Sequence, residues 1–213
     1  MPISVVPSLG GIVYLPLLAL SMLAFSLIFE RLVFWLRVIK RQNLIIREVL
    51  KLYQQDYSSS LRKLEQNSDL PIARIFLAAL SLKQPTPEKF RLALETAAQA
   101  ELPVLRRFST VFETIISIAP LLGLLGTILG LVEAFSGLMI GDIGGSDTIT
   151  VTAGLSDALI TTVAGLSVAI FTLLFANTFR GLYRRQLAAI QEYGGQLELL
   201  YLNHYQGHKE FRI

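Results

Sequence analysis

The sequence contains no cysteine, which excludes disulfides, thiolate metal sites and cysteine nucleophiles. Charge is scarce as well: 16% of the 213 residues are charged against 53% hydrophobic, and the mean hydropathy is +0.55. That balance excludes an ordinary soluble globular domain and identifies an integral membrane protein. The scarcity is uneven along the chain. No Lys or Arg occurs in 1–30 or in 108–179; of the 19 present, 14 lie in 31–107 and 5 in 180–213. His204 and His208, near the C-terminus, are the two histidines. Their spacing of four lacks the internal Glu of a zinc-protease motif and any third ligand, so neither a metal centre nor a cofactor is expected. Neither Lys nor His lies in the apolar segments to serve as a base for a serine nucleophile, and no G-x-S-x-G, P-loop or dinucleotide-binding glycine pattern occurs. The chain does not read as an enzyme.

What is present is three long apolar runs, about 11–34, 115–139 and 155–178. Each is long enough for a hydrocarbon core of about 30 Å, which takes roughly 20 helical residues. By the positive-inside rule 31–107 and the C-terminus are cytoplasmic, and the N-terminus and the 140–154 hairpin face the other side. Arg31 and Arg37 follow the first run rather than precede it, so it reads as a retained anchor and not a cleaved signal. The same topology accounts for the pI near 9.3. In 36–107 the 13 Lys/Arg and 7 Asp/Glu are scattered among apolar positions, so nucleic acid is not an expected partner.

The segment between the first two runs carries helical periodicity. "LRVIKRQNLIIREVLKLY" sets Ile39, Ile46, Val49, Leu50 and Tyr53 near one stripe, and "DYSSS", "SDLP" and "KQPTP" interrupt the pattern. Thr86 before Pro87 predicts a helix start, and Pro103 should end or kink that helix. The third run should continue past Phe179 with Leu182, Leu187, Ile190, Leu197 and Leu200 at helical spacing, and Gly194-Gly195 predicts a break. The expected fold is all-α: three transmembrane helices, the second and third extended into the cytoplasm, with a helical cytoplasmic domain between the first and second. Its parts are an N-out first helix (1–35), a cytoplasmic region (36–107), a channel unit (108–179) and a cytoplasmic C-terminal extension (180–213).

The second and third runs give up apolar bulk in a regular way. Gly123, Thr127, Gly130, Ala134 and Gly137 recur every three or four residues, as do Gly154, Ala158, Thr161, Gly165, Ala169, Thr172 and Ala176. Such stripes let helix backbones approach closely, and Gly126 with Gly130 adds a G-x-x-x-G pair. Close packing is one sufficient reading of these glycines. Asp157 stands eight residues before Gly165, about 12 Å from the middle of its helix by rise. It reads either as an ion-pathway group or as an interfacial acid hydrated by headgroup water. Glu133, near its own helix end, admits the same two readings. Thr127, Thr161 and Thr162 are able to bond the carbonyl one turn back; together with Asp157 they are also what a narrow hydrated path through a helix bundle would expose.

"IAPLLGLLGTILGLVEAF" (118–135) and "GLSDALITTVAGLSVAIFTLLFANTF" (154–179) resemble the second and third membrane helices of the MotA/TolQ/ExbB proton-channel family, closest to its ExbB and TolQ branch. The four-helix MotA stator branch fits less well. The resemblance implies that Thr127 and Thr162 match the family's pore threonines, and that Asp157 falls where the family usually carries Glu. It further implies a bacterial inner-membrane homopentamer whose second and third helices line a pore. That pore would hold an ExbD- or TolR-like single-span partner, and proton flow would energise a TonB- or TolA-like protein. An oligomeric membrane scaffold without ion conduction is the competing reading.

Overall fold

The computed structural model describes residues 11–136 and 147–210; of the expected 140–154 connection, 140–146 lie outside them, as does Gly137, and 147–154 belong to a helix instead. A 3-10 turn, Gly11–Val13, leads into α1 (Tyr14–Gln55), followed by α2 (Tyr57–Gln66), α3 (Pro71–Leu80), α4 (Pro87–Leu105), α5 (Ser109–Ser136) and α6 (Asp147–Glu210). No strand occurs among the described residues. Three helical stretches are long and apolar enough to span a bilayer, and the fold is all-α as expected.

The chain forms two compact units whose boundaries fall at Glu30/Arg31, Arg107/Phe108 and Thr178/Phe179. These boundaries coincide, to within one residue, with the limits of the stretches free of Lys and Arg. In the first unit α1, α5 and α6 pack where Leu17 meets the small side chains of Ala119 and Ala169 in one core cluster. Large apolar residues such as Leu15, Phe29, Leu121, Phe135 and Ile170 stay exposed, the arrangement suited to lipid rather than water.

The second unit has a water-soluble protein's core. Trp35, Val38, Ile46 and Val49 of α1, Ile72, Ile75 and Phe76 of α3, and Phe90 and Leu94 of α4 are buried there, with Ile190 and Leu197 of α6. The local signals behave as their chemistry requires. Asp56 caps α2, accepting from the Ser58 amide at 2.9 Å and from the Ser59 hydroxyl. Those bonds, led by Ser59, hold its carboxyl below the usual carboxylate range. Thr86 caps α4 ahead of Pro87. Arg74 forks onto Glu101, with Nε–Oε1 at 2.7 Å and Nη2–Oε2 at 2.5 Å, tying α3 to α4 and raising the Arg74 pKa. At the far end Phe90 stacks on Tyr201 at 4.1 Å between centroids, and Tyr53 lies 5.9 Å from Tyr57. Burial, reinforced by Tyr57 and Tyr201, pushes the Tyr53 phenol up to about 12.

Three sequence expectations change. The long continuations belong to α1 and α6, whereas α5 is separated from α4 by a turn at 106–108, with Pro103 inside the last turn of α4 and Phe108 at φ 66°. Pro103 has no N–H to continue the hydrogen-bond ladder, and a left-handed residue cannot continue an α-helix. Gly194-Gly195 does not break α6, which runs through both. Two helix-interior glycines cost about 1 kcal/mol each, and burial of Ile190 and Leu197 on either side outweighs that. Ile39 is exposed, and the inward position one turn on is taken by Gln42. Gln42 is buried because it accepts from the Gln186 amide at 2.6 Å, a pairing between α1 and α6 that apolar periodicity does not reveal.

Candidate functional site

The closest approach of α5 to α6 is built from residues that lack side-chain bulk. A Cβ on Gly165 would lie 2.5 Å from the Ala119 carbonyl oxygen and 3.1 Å from Gly123 Cα. One on Gly123 would lie 3.0 Å from the Thr161 carbonyl and from Thr162 Cα, and one on Gly126 would strike the Thr161 side chain, with Thr161 Cβ at 2.8 Å. Gly126 and Gly165 therefore require glycine for steric reasons, and at Gly123 the two backbones are in close contact. Gly130 is buried further along the same face of α5, with Ala134 beyond it. On α6, Ala158, Thr161, Gly165, Ala169 and Thr172 are all buried, the stripe read from the sequence.

Three hydroxyls gather at this crossing. Thr161, 1% exposed, donates to its own helix at Ala158 O, 2.6 Å away, and lies 3.4 Å from Gly123 O. Thr127 likewise donates to Leu124 O at 2.6 Å. Thr162 behaves differently and crosses to α5, donating to Gly123 O at 2.9 Å. That carbonyl is reachable because Gly123 has no Cβ to cover it. Thr162 Oγ1 and Thr127 Oγ1 stand 3.5 Å apart, long for an O–H···O bond. A hydroxyl has one proton and two lone pairs. With each proton directed to a carbonyl, both oxygens present lone pairs to whatever passes beside them. The constellation is suited to a proton donor or a cation and unsuited to an anion.

Thr127, Thr161, Thr162, Gly123, Gly126 and Gly165 are thus brought together. Glu133, six residues beyond Thr127, is exposed on α5. Asp157 falls within α6, with its side chain outside the described residues. His204 is exposed, 6.5 Å from the Tyr53 ring between centroids, and the His208 side chain lies outside the described residues. No cluster of three or more His, Cys, Asp or Glu able to hold a metal occurs among the described residues. The acceptor missed in the sequence is the Gly123 main chain; its signal was a glycine at the centre of a small-residue stripe opposite a Thr-Thr pair.

The profile of the MotA/TolQ/ExbB proton channel family matches residues 67–192. The chain is 57% identical over 192 residues to the biopolymer transport protein ExbB-like 3 of Synechocystis sp., covering 90% of this chain and 91% of that one. It is 44% identical over 193 residues to ExbB-like 1 of the same organism, covering 90% and 76%. Over 69 residues, 32% of this chain and 46% of the other, it is 46% identical to the biopolymer transport protein ExbB of Helicobacter pylori.

Proposed function

We infer that this chain, which belongs to the MotA/TolQ/ExbB proton channel family, is the ring-forming subunit of an ion-driven motor of the ExbB type in the bacterial inner membrane. It is a multi-pass membrane protein of a channel family rather than an enzyme family. The observation that carries the reading is the Thr127–Thr162–Gly123 constellation, a run of oxygen acceptors at the crossing of two otherwise apolar helices. Thr161 and Thr127 satisfy their hydroxyls within their own helices, whereas Thr162 reaches across to the other helix. In this proposal α5 and α6 of a homopentamer line a pore, with Thr127 and Thr162 wetting it, Thr161 supporting them, and Asp157 and Glu133 bounding the ion path. The N-terminus lies outside and the C-terminus in the cytoplasm. The pore would hold the membrane helix of an ExbD- or TolR-like partner, whose motion energises a TonB- or TolA-like protein. Each charge that crosses releases about 2.3 kcal/mol per 100 mV, enough to bias such a motion.

The test is purification with the co-encoded single-span partner, reconstitution into vesicles and measurement of ion flux under an imposed potential. Flux that requires the partner and falls in T127V and T162V, with assembly intact, supports the motor. Undiminished flux in a T127V/T162V double variant refutes it.

A further inference from the structure

We propose that the arginines at the inner ends of the apolar helices form a seat for the phosphates of anionic phospholipids, with Arg106 as its pre-organised member. Residues 31–47, 102–112 and 178–191 carry ten Lys or Arg and no Asp or Glu. All ten belong to the second compact unit. Carboxylates match other cations of that unit: Arg41, one of the ten, pairs with Asp69 at 2.6 Å, Lys63 with Glu48 at 2.9 Å, Arg74 with Glu101 at 2.5 Å and Arg91 with Glu95 at 3.5 Å. Arg37, Arg184 and Arg185 are exposed and have no carboxylate partner among the described residues. Positive charge is therefore concentrated in the parts of α1, α4 and α6 next to the segments long and apolar enough to span a bilayer, with Arg37, Arg184 and Arg185 left unmatched there. Its complement is the charge a membrane supplies there.

Two contacts turn this charge into a site. Arg31, 2% exposed, donates to the carbonyl of Val104 at 3.1 Å and so caps the last turn of α4, fixing where that helix ends. Two residues on, the exposed Arg106 lays its guanidinium over the Tyr183 ring at 4.6 Å from the centroid. Tyr183 is 9% exposed and so is a fixed platform. Stacking occupies one face of the guanidinium and leaves its N–H edges, the geometry that grips two phosphate oxygens at once. Arg184 and Arg185 follow Tyr183 directly on α6. A zwitterionic headgroup brings a cation of its own into this field, whereas an anionic one does not.

Lipid binding at these arginines belongs to the resting protein and is independent of ion conduction. Its test is native mass spectrometry of the full-length protein in detergent, titrated with phosphatidylglycerol or phosphatidylethanolamine. Wild type should retain phosphatidylglycerol preferentially. R106Q should weaken that retention about fivefold, and R184Q/R185Q by about fivefold for each guanidinium removed. Y183F, which keeps a ring face, should match wild type, and R106K, which keeps charge but loses the fork, should fall between wild type and R106Q. Equal retention of both lipids by wild type overturns the proposal. So does unchanged retention in R106Q and R184Q/R185Q, or displacement of phosphatidylglycerol by equimolar inorganic phosphate. Because R184Q/R185Q alters exposed side chains on a different helix, it carries the test even if R106Q folds poorly.

Discussion

Thr162 donates its hydroxyl proton across the helix crossing to the main-chain carbonyl of Gly123, at 2.9 Å. Neighbouring hydroxyls on α5 and α6, at Thr127, Ser167 and Thr172, bond within their own helices. Interhelical hydrogen bonds inside membranes contribute about 0.6 kcal/mol on average, because the separated helices find other partners. T162V should therefore lower the stability of the purified protein by about 0.6 kcal/mol and leave it assembled. In the proposed motor the same variant should abolish ion flux, and T162S, which keeps the hydroxyl, should retain most of it. Denaturation in detergent and flux in vesicles separate the two effects.

The glycines of α6 divide into those that are crowded and those that are not. At Gly165 an added methyl group meets the Ala119 carbonyl at 2.5 Å, while at Gly181 nothing lies within 4 Å. G165A should force α5 and α6 apart and destabilise by about 1–3 kcal/mol, the usual cost of overpacking. G181A should instead stabilise by about 1 kcal/mol, through helix propensity alone. Thermal unfolding followed by circular dichroism should therefore move in opposite directions for one substitution made twice in one helix.

Much of this architecture was legible in the sequence, because its signals are local. Apolar run length marked the three spans, Thr86-Pro87 marked the start of α4, and small residues every three or four positions marked the buried faces of α5 and α6. The features that escaped depend on partners far along the chain. Gln42 looks like a surface residue until Gln186, 144 positions later, supplies its hydrogen bond. The bond from Thr162 to Gly123 needs the crossing point, which neither helix specifies alone. Gly194-Gly195 read as a break since intrinsic propensity is a weak prior that packing overrides.

Alkali should weaken the second unit through Tyr53. Its phenol, ordinarily near 10, is held up to about 12, so the folded state keeps a proton that the unfolded chain releases. A group whose folded pKa is raised contributes stability that is complete below the unfolded value and is lost as pH rises through the folded one. Stability should be level below pH 10 and fall between pH 10 and about 12. Y53F should make that decline shallower without removing it, since burial also raises the Tyr57 and Tyr201 pKa values. Denaturant titrations at stepped pH, read by the fluorescence of Trp35, the single tryptophan and itself buried in that unit, follow the slope directly.

The paired amides of Gln42 and Gln186 give the strongest test of how α1 and α6 are held in register. Both side chains are buried, 3% and 6% exposed, and meet at 2.6 Å. Replacing one by Leu leaves the other amide buried without its partner, at a cost of about 1–3 kcal/mol. Replacing both removes the unmet polar group and adds apolar contact, so the double variant should be about as stable as wild type. The double-mutant cycle should therefore show a coupling energy of at least about 1 kcal/mol. Its structural consequence is distinct from its energy. Two leucines pack acceptably at several offsets along facing helices, whereas two amides meet at one, as buried polar pairs do in coiled coils. Crosslinking by a short bismaleimide between cysteines placed at Asn43 and Tyr193, whose side-chain oxygens lie 3.5 Å apart, should be confined to that pair in wild type. In Q42L/Q186L it should spread to positions one helical turn away. Crosslinking that stays confined in the double variant would show that apolar packing alone sets the register.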